Sequence, residues 1–171
     1  MKLNKLQKKI GISFKDDKLL IQALTHKSFD TKNNYEKLEF LGDRVLGFVI
    51  SKKLLELYPN EKVGMIDKKL ANLVNKNKCF EIGKELELDN YILTGNTEKK
   101  KKVNIEKKII SDCCESLIGA IYIDKGFEVS SKFILNYWKN YLNLSDITVI
   151  DSKTRLQAVS YTHLTLPTIV S

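Results

Sequence analysis

Two groups of carboxylates sit inside stretches that are otherwise apolar, and no other feature constrains the chain as much. Glu36, Glu39 and Asp43 lie in the run Tyr35-Glu36-Lys37-Leu38-Glu39-Phe40-Leu41-Gly42-Asp43, and Asp112 and Glu115 lie in Ser111-Asp112-Cys113-Cys114-Glu115. At about 100° per residue the first three share one narrow sector of a helix, and so do the second two. Gly47 falls in the first acidic sector and Gly119 in the second. Glycine costs about 1 kcal/mol in a helix interior relative to alanine, so close approach of the two backbones at their acidic faces is the expected compensation. The apolar stripes are expected to be Leu41, Val45, Phe48 and Val49 on one helix, and Ile110, Cys114, Leu117 and Ile121 on the other.

Acidic faces brought together need a cation, because two like charges ~4 Å apart repel by roughly 4 kcal/mol at an effective dielectric of 20. Oxygen ligands without His or Cys suit a hard ion such as Mg²⁺ or Mn²⁺. Such an ion can activate a water against a phosphodiester. Spacing alone leaves a plainer possibility open, since a solvated helix face also carries acids at i, i+3 and i+7.

The 171 residues, 43% of them hydrophobic, suffice for one core and a single domain. Two prolines and eight glycines favour a mostly helical chain. No run approaches the roughly 20 apolar residues that span a bilayer, and Met1-Lys2-Leu3-Asn4-Lys5 lacks the apolar stretch of a secretory signal. A cytoplasmic protein without membrane association is expected. Cys79, Cys113 and Cys114 have no zinc-site spacing and read as buried apolar residues. The net charge of +8 favours an anionic partner, above all nucleic acid. Lys99, Lys100, Lys101 and Lys102 form a loop that either is merely solvated or contacts phosphate.

Helices are expected over Leu3–Ile10, Phe14–Leu24, Tyr35–Leu57, Val63–Asn75, Lys78–Leu86, Ile105–Asp124 and Phe127–Leu142. Asn75-Lys76-Asn77 reads as a polar joint, and Leu88–Thr94 as extended or irregular. Asp151 to Gln157 resembles the opening of a further helix. The stretch Val159 to Thr168 resembles a translated transposase sequencing adaptor, so residues from about Ala158 on are left out of fold reasoning and the chain is read as cut short.

Read in order, Glu36-Lys37-Leu38-Glu39-Phe40-Leu41-Gly42-Asp43-Arg44-Val45-Leu46 resembles the signature of bacterial ribonuclease III. Ala23-Leu24-Thr25-His26-Lys27-Ser28 resembles the element that precedes it, and Ser111 to Asp124 the family's second acidic motif. The resemblance runs from about Leu3 to Leu142. It implies an all-α, homodimeric endonuclease domain, here over residues 1–146, that cleaves double-stranded RNA. It implies that Glu39, Asp43, Asp112 and Glu115 hold Mg²⁺, with Mn²⁺ as a substitute, and that Asp43 and Glu115 are catalytic. The family leaves 5′-phosphate and 3′-hydroxyl ends with two-nucleotide 3′ overhangs, in processing of ribosomal precursor, messenger or small RNA. Glu36 matches a position near the cleft and subunit interface, and Phe40 an aromatic that packs into the other subunit.

Cys113 and Cys114 depart from the family's usual alanine and aromatic, a change that packing should tolerate. Residues 147–157 would be a linker and the start of a double-stranded-RNA-binding domain, with Gln157 at an RNA-contacting position. Without the rest of that domain, which reads duplex shape, RNA binding should weaken. His26 reads as a hydrogen-bonded helix end rather than a general base. Two rival functions remain: a catalytically silent relative that only binds structured RNA, and a di-iron or di-manganese bundle. The second needs Glu-x-x-His pairs, whereas His26 has Ala23 three positions before it.

Overall fold

From Ile110 to Ile121 every residue is buried, Asp112 and Glu115 included. A helix enclosed on all sides must be surrounded by others. In this computed structural model α6 (Lys107–Lys125) is packed by α2 (Asp17–Ala23), α3 (Glu36–Leu57) and α5 (Lys76–Glu85), with α3 making the most extensive contact. α1 (Lys2–Ile10), α4 (Val63–Leu73) and a 3₁₀ turn at Leu88–Asn90 complete the first unit, with the start of α7 (Phe127–Thr162). Backbone is described for residues 2–95 and 105–162, and side chains for 3–95 and 105–144. The chain divides into compact units at residues 1–137 and 138–171; in the second, helical backbone continues to Thr162.

The all-α expectation holds: the described residues are helical apart from turns and one isolated parallel bridge, Thr25 to Leu93. That bridge pins the segment after α2, with the His26 N–H donating to the Leu93 carbonyl at 2.9 Å and the Leu93 N–H to the Leu24 carbonyl at 2.8 Å. The Tyr35 N–H in turn donates to the Thr25 carbonyl at 2.9 Å, fixing where α3 begins. Among the described residues no helix is long and apolar enough to cross a membrane.

Several boundaries differ from expectation, for local reasons. α2 starts at Asp17 because the Asp16 carboxylate caps it, accepting from the Lys18 N–H at 2.9 Å. Asn75 caps α5 by accepting from the Lys78 N–H at 3.1 Å, so Lys76 and Asn77 lie in its first turn rather than in a joint. α7 does not stop at Leu142. Leu88–Thr94 is part 3₁₀ turn and part bridge.

The apolar side of α3 is also rotated from the expected stripe. Leu38, Gly42, Val45, Leu46, Val49, Ile50 and Leu54 are buried, whereas Phe48 is 62% exposed. Two glycines explain this. A Cβ at Gly42 would overlap the Glu115 carbonyl, and one at Gly119 would overlap the Leu38 carbonyl. The close approach thus pairs Gly119 with Gly42. Gly47, expected in that role, has open space where its Cβ would be.

Substituting alanine for Gly42 should therefore force α3 off α6 and cost about 3 kcal/mol or more. Gly47→Ala should instead stabilise by about 0.4–1 kcal/mol. Thermal melts of the two variants should move in opposite directions, and equal shifts would contradict the packing described.

Candidate metal centre

The contact between α3 and α6 sets Glu39 against Asp112 and Glu115. One oxygen from each carboxylate lies within 4.8 Å of the other two. A cation already rests among them: Lys76 Nζ stands 2.6 Å from Asp112 Oδ1, 2.7 Å from Glu115 Oε2 and 2.9 Å from Glu39 Oε1. The Asn75 cap puts Lys76 there, at the first position of α5.

The outer oxygens are satisfied too. Asp112 Oδ2 accepts from Lys108 Nζ at 3.3 Å and from the Tyr35 hydroxyl at 3.5 Å. Glu115 Oε1 accepts from the Cys79 thiol at 3.6 Å. Burial pushes the Glu115 carboxyl above the ordinary glutamate range; Lys76 opposes the rise, while Asp43 and Glu39 add to it. For Lys76, burial works against the charge, but hydrogen bonds to Asp112, Glu115 and Glu39 hold the ammonium well above the usual lysine range. Burial likewise raises the Tyr35 phenol.

The acids open on a cleft of about 350 Å³ lined by Glu36, Glu39, Phe40, Asp43, Arg44, Lys76 and Glu115. Asp43 lines it without joining the trio, and its Oδ2 pairs with Arg44 Nη1 at 2.9 Å. The Arg44 guanidinium lies 3.8 Å over the Phe40 ring, and Phe40 is 63% exposed. Glu36 pairs with Lys27 at 3.1 Å. Thus three of the four expected ligands converge, and the fourth shares their cleft. His26 Nδ1 accepts from the Ser28 N–H at 3.2 Å and lies 2.7 Å from the Ser28 hydroxyl; its ring packs on Tyr35. Burial and Lys27 push its pKa below the ordinary histidine value. Lys99, Lys100, Lys101, Lys102 and the Gln157 side chain lie outside the described residues.

Sequence reasoning missed Lys76. Its signal was present: Asn75 is a strong N-cap residue, and a lysine in the first turn opposes the helix dipole, so it needs another cause.

The family model described as Ribonuclease-III-like matches residues 16–142. The chain belongs to the ribonuclease III family. It is 59% identical to Ribonuclease 3 of Pelagibacter ubique over 94% of this chain and 72% of that one. Ribonuclease 3 of Hahella chejuensis is 43% identical over 91% and 70%. The solved nuclease domain of ribonuclease III from Campylobacter jejuni, a protein with a flexible region involved in dimer formation, superposes with a TM-score of 0.73 at 37% identity, covering 80% of this chain and 95% of that domain. As a ribonuclease III family member the chain is an endoribonuclease, and the family implies a divalent metal. The residues fit one: the donors are all carboxylate oxygens, two of the three acids are buried, and a cationic group already occupies the point on which they converge.

All three cysteines are buried, and burial raises the Cys113 thiol, while a contact with Cys114 and burial raise that of Cys79. Ellman's reagent should therefore leave the native protein nearly unlabelled and titrate three thiols in denaturant. Fast labelling of the native chain would contradict the closed packing behind Glu115.

Proposed function

We propose that this endoribonuclease cleaves double-stranded RNA as a homodimer with Mg²⁺ held by Glu39, Asp43, Asp112 and Glu115, or with Mn²⁺ in its stead. The observation that carries the reading is the convergence of Glu39, Asp112 and Glu115 on one cationic point at the floor of an open cleft. When bound, the ion supplies the charge that activates a water and neutralises the phosphate. Glu39, Asp112 and Glu115 fix its place. Asp43 completes the set by turning from Arg44 into the cleft they share. Tyr35 and Cys79 hold the two buried carboxylates in position by donating to their outer oxygens. Arg44 and Lys76 line the cleft and offer positive charge to the RNA backbone.

The products are 5′-phosphate and 3′-hydroxyl ends, and two sites acting on opposite strands leave two-nucleotide 3′ overhangs. Ribosomal precursors, messengers and small-RNA duplexes in the cytoplasm all present the A-form shape such a site takes. Support for the dimer comes from Phe40, exposed beside the acids, and from a hollow of about 230 Å³ next to it, lined by Leu41, Arg44, Val45, Phe48, Tyr122 and Phe127. Phe40 of a second copy is the occupant proposed for that hollow.

A labelled RNA duplex should be cut on both strands with Mg²⁺ or Mn²⁺ and left intact in EDTA, while Glu115→Gln folds but loses cleavage by at least a hundredfold. Duplex bound but uncut under every metal would favour a silent RNA-binding module instead. Separately, Phe40→Ala should raise the dimer dissociation constant at least tenfold by sedimentation, an effect of ~1.4 kcal/mol and within reach of one buried aromatic. An unchanged profile at micromolar concentration would remove Phe40 from the interface.

A further inference from the structure

Lys76 has no part in the ligand set proposed above, yet its ammonium contacts three of the four carboxylates assigned to the divalent ion. An Mg²⁺ ion lies about 2.0–2.1 Å from its oxygens. Lys76 Nζ lies 2.6 to 2.9 Å from one oxygen each of Asp112, Glu115 and Glu39. A second cation drawn to the same three oxygens would stand close to the ammonium and be repelled by it, so the two compete for the same carboxylates.

We propose that Lys76 is a built-in place-holder cation, which neutralises Glu39, Asp112 and Glu115 while no divalent ion is bound and must leave for the ion to enter. The inference rests on the reading of these acids as the metal centre.

Three observations support it. Asp112 and Glu115 are 1% and 2% exposed, so water cannot solvate their charge and some cation must. The Lys76 side chain is 51% exposed and lines the cleft, so it can swing out without unfolding α5. Its position is also costly on helix grounds, since positive charge in a first turn opposes the macrodipole. The carboxylates, not the helix, account for a lysine there. Lys76, with Lys108 on the outer oxygen of Asp112, neutralises three carboxylates only in part, and a divalent ion does so better. That difference drives the exchange, and the work of displacing the ammonium weakens apparent metal affinity.

The test uses metal binding and stability without RNA. Wild type, Lys76→Met and Lys76→Arg are titrated with Mn²⁺, reading the free ion by electron paramagnetic resonance, and each is melted in EDTA and in saturating Mn²⁺. Lys76→Met should bind Mn²⁺ at least tenfold more tightly, about 1.4 kcal/mol. It should melt below wild type in EDTA, and the gap should close with Mn²⁺. A chain that folds only with Mn²⁺ is the extreme form of the same result. Lys76→Arg, which keeps the charge, should stay near wild type in both readings. If Lys76→Met binds Mn²⁺ no more tightly than a wild type that does bind it, or melts like wild type in EDTA, the place-holder role is overturned and the metal centre stands. If no form binds Mn²⁺, the metal centre itself falls and this inference with it.

Discussion

Two carboxylates buried in the middle of the most enclosed helix are the constraint around which the rest of the first unit is arranged. Asp112 and Glu115 could not stay charged there alone, since an unpaired buried charge costs several kcal/mol. Their surroundings are correspondingly complete: Lys76 and Lys108 supply charge, and Tyr35 and Cys79 supply donors. Among the described residues no buried side-chain nitrogen or oxygen lacks a hydrogen-bond partner. The pinning of Tyr35 by the Thr25 carbonyl and the capping of α5 by Asn75 place two of these four groups, so turns remote in sequence serve one pair of acids.

The electrostatics run opposite to those of the chain as a whole. A net charge of +8 draws an anionic polymer toward the protein, while the cleft that would cut it is lined by carboxylates. Lys76 and Arg44 moderate the conflict at the cleft itself, each paired with acids that the metal reading would engage.

Much of this was legible in the sequence. The helical periodicity of the two acidic stretches located α3 and α6, and the convergence of carboxylates between them followed from their shared faces. What periodicity could not give was rotation. A helix packed against an enclosed neighbour turns toward whichever face permits the closest backbone contact. On α3 that is the face of Gly42, and the shift carries Phe48 into the open. Lys76 was illegible for a related reason: between two short helices a polar triplet reads as a joint, and only the cap formed by Asn75 reveals a helix start aimed across the molecule at residues far away in the chain.

Arg44 is shared between two neighbours of different character. Its guanidinium stacks on the exposed Phe40 ring and pairs with Asp43, while donating to the Phe40 carbonyl at 3.2 Å. Whatever covers that ring competes with the guanidinium for one of its faces. The same guanidinium that lies on the aromatic also holds Asp43, so the carboxylate standing apart from the trio is linked through one side chain to the exposed apolar ring at the rim of the cleft.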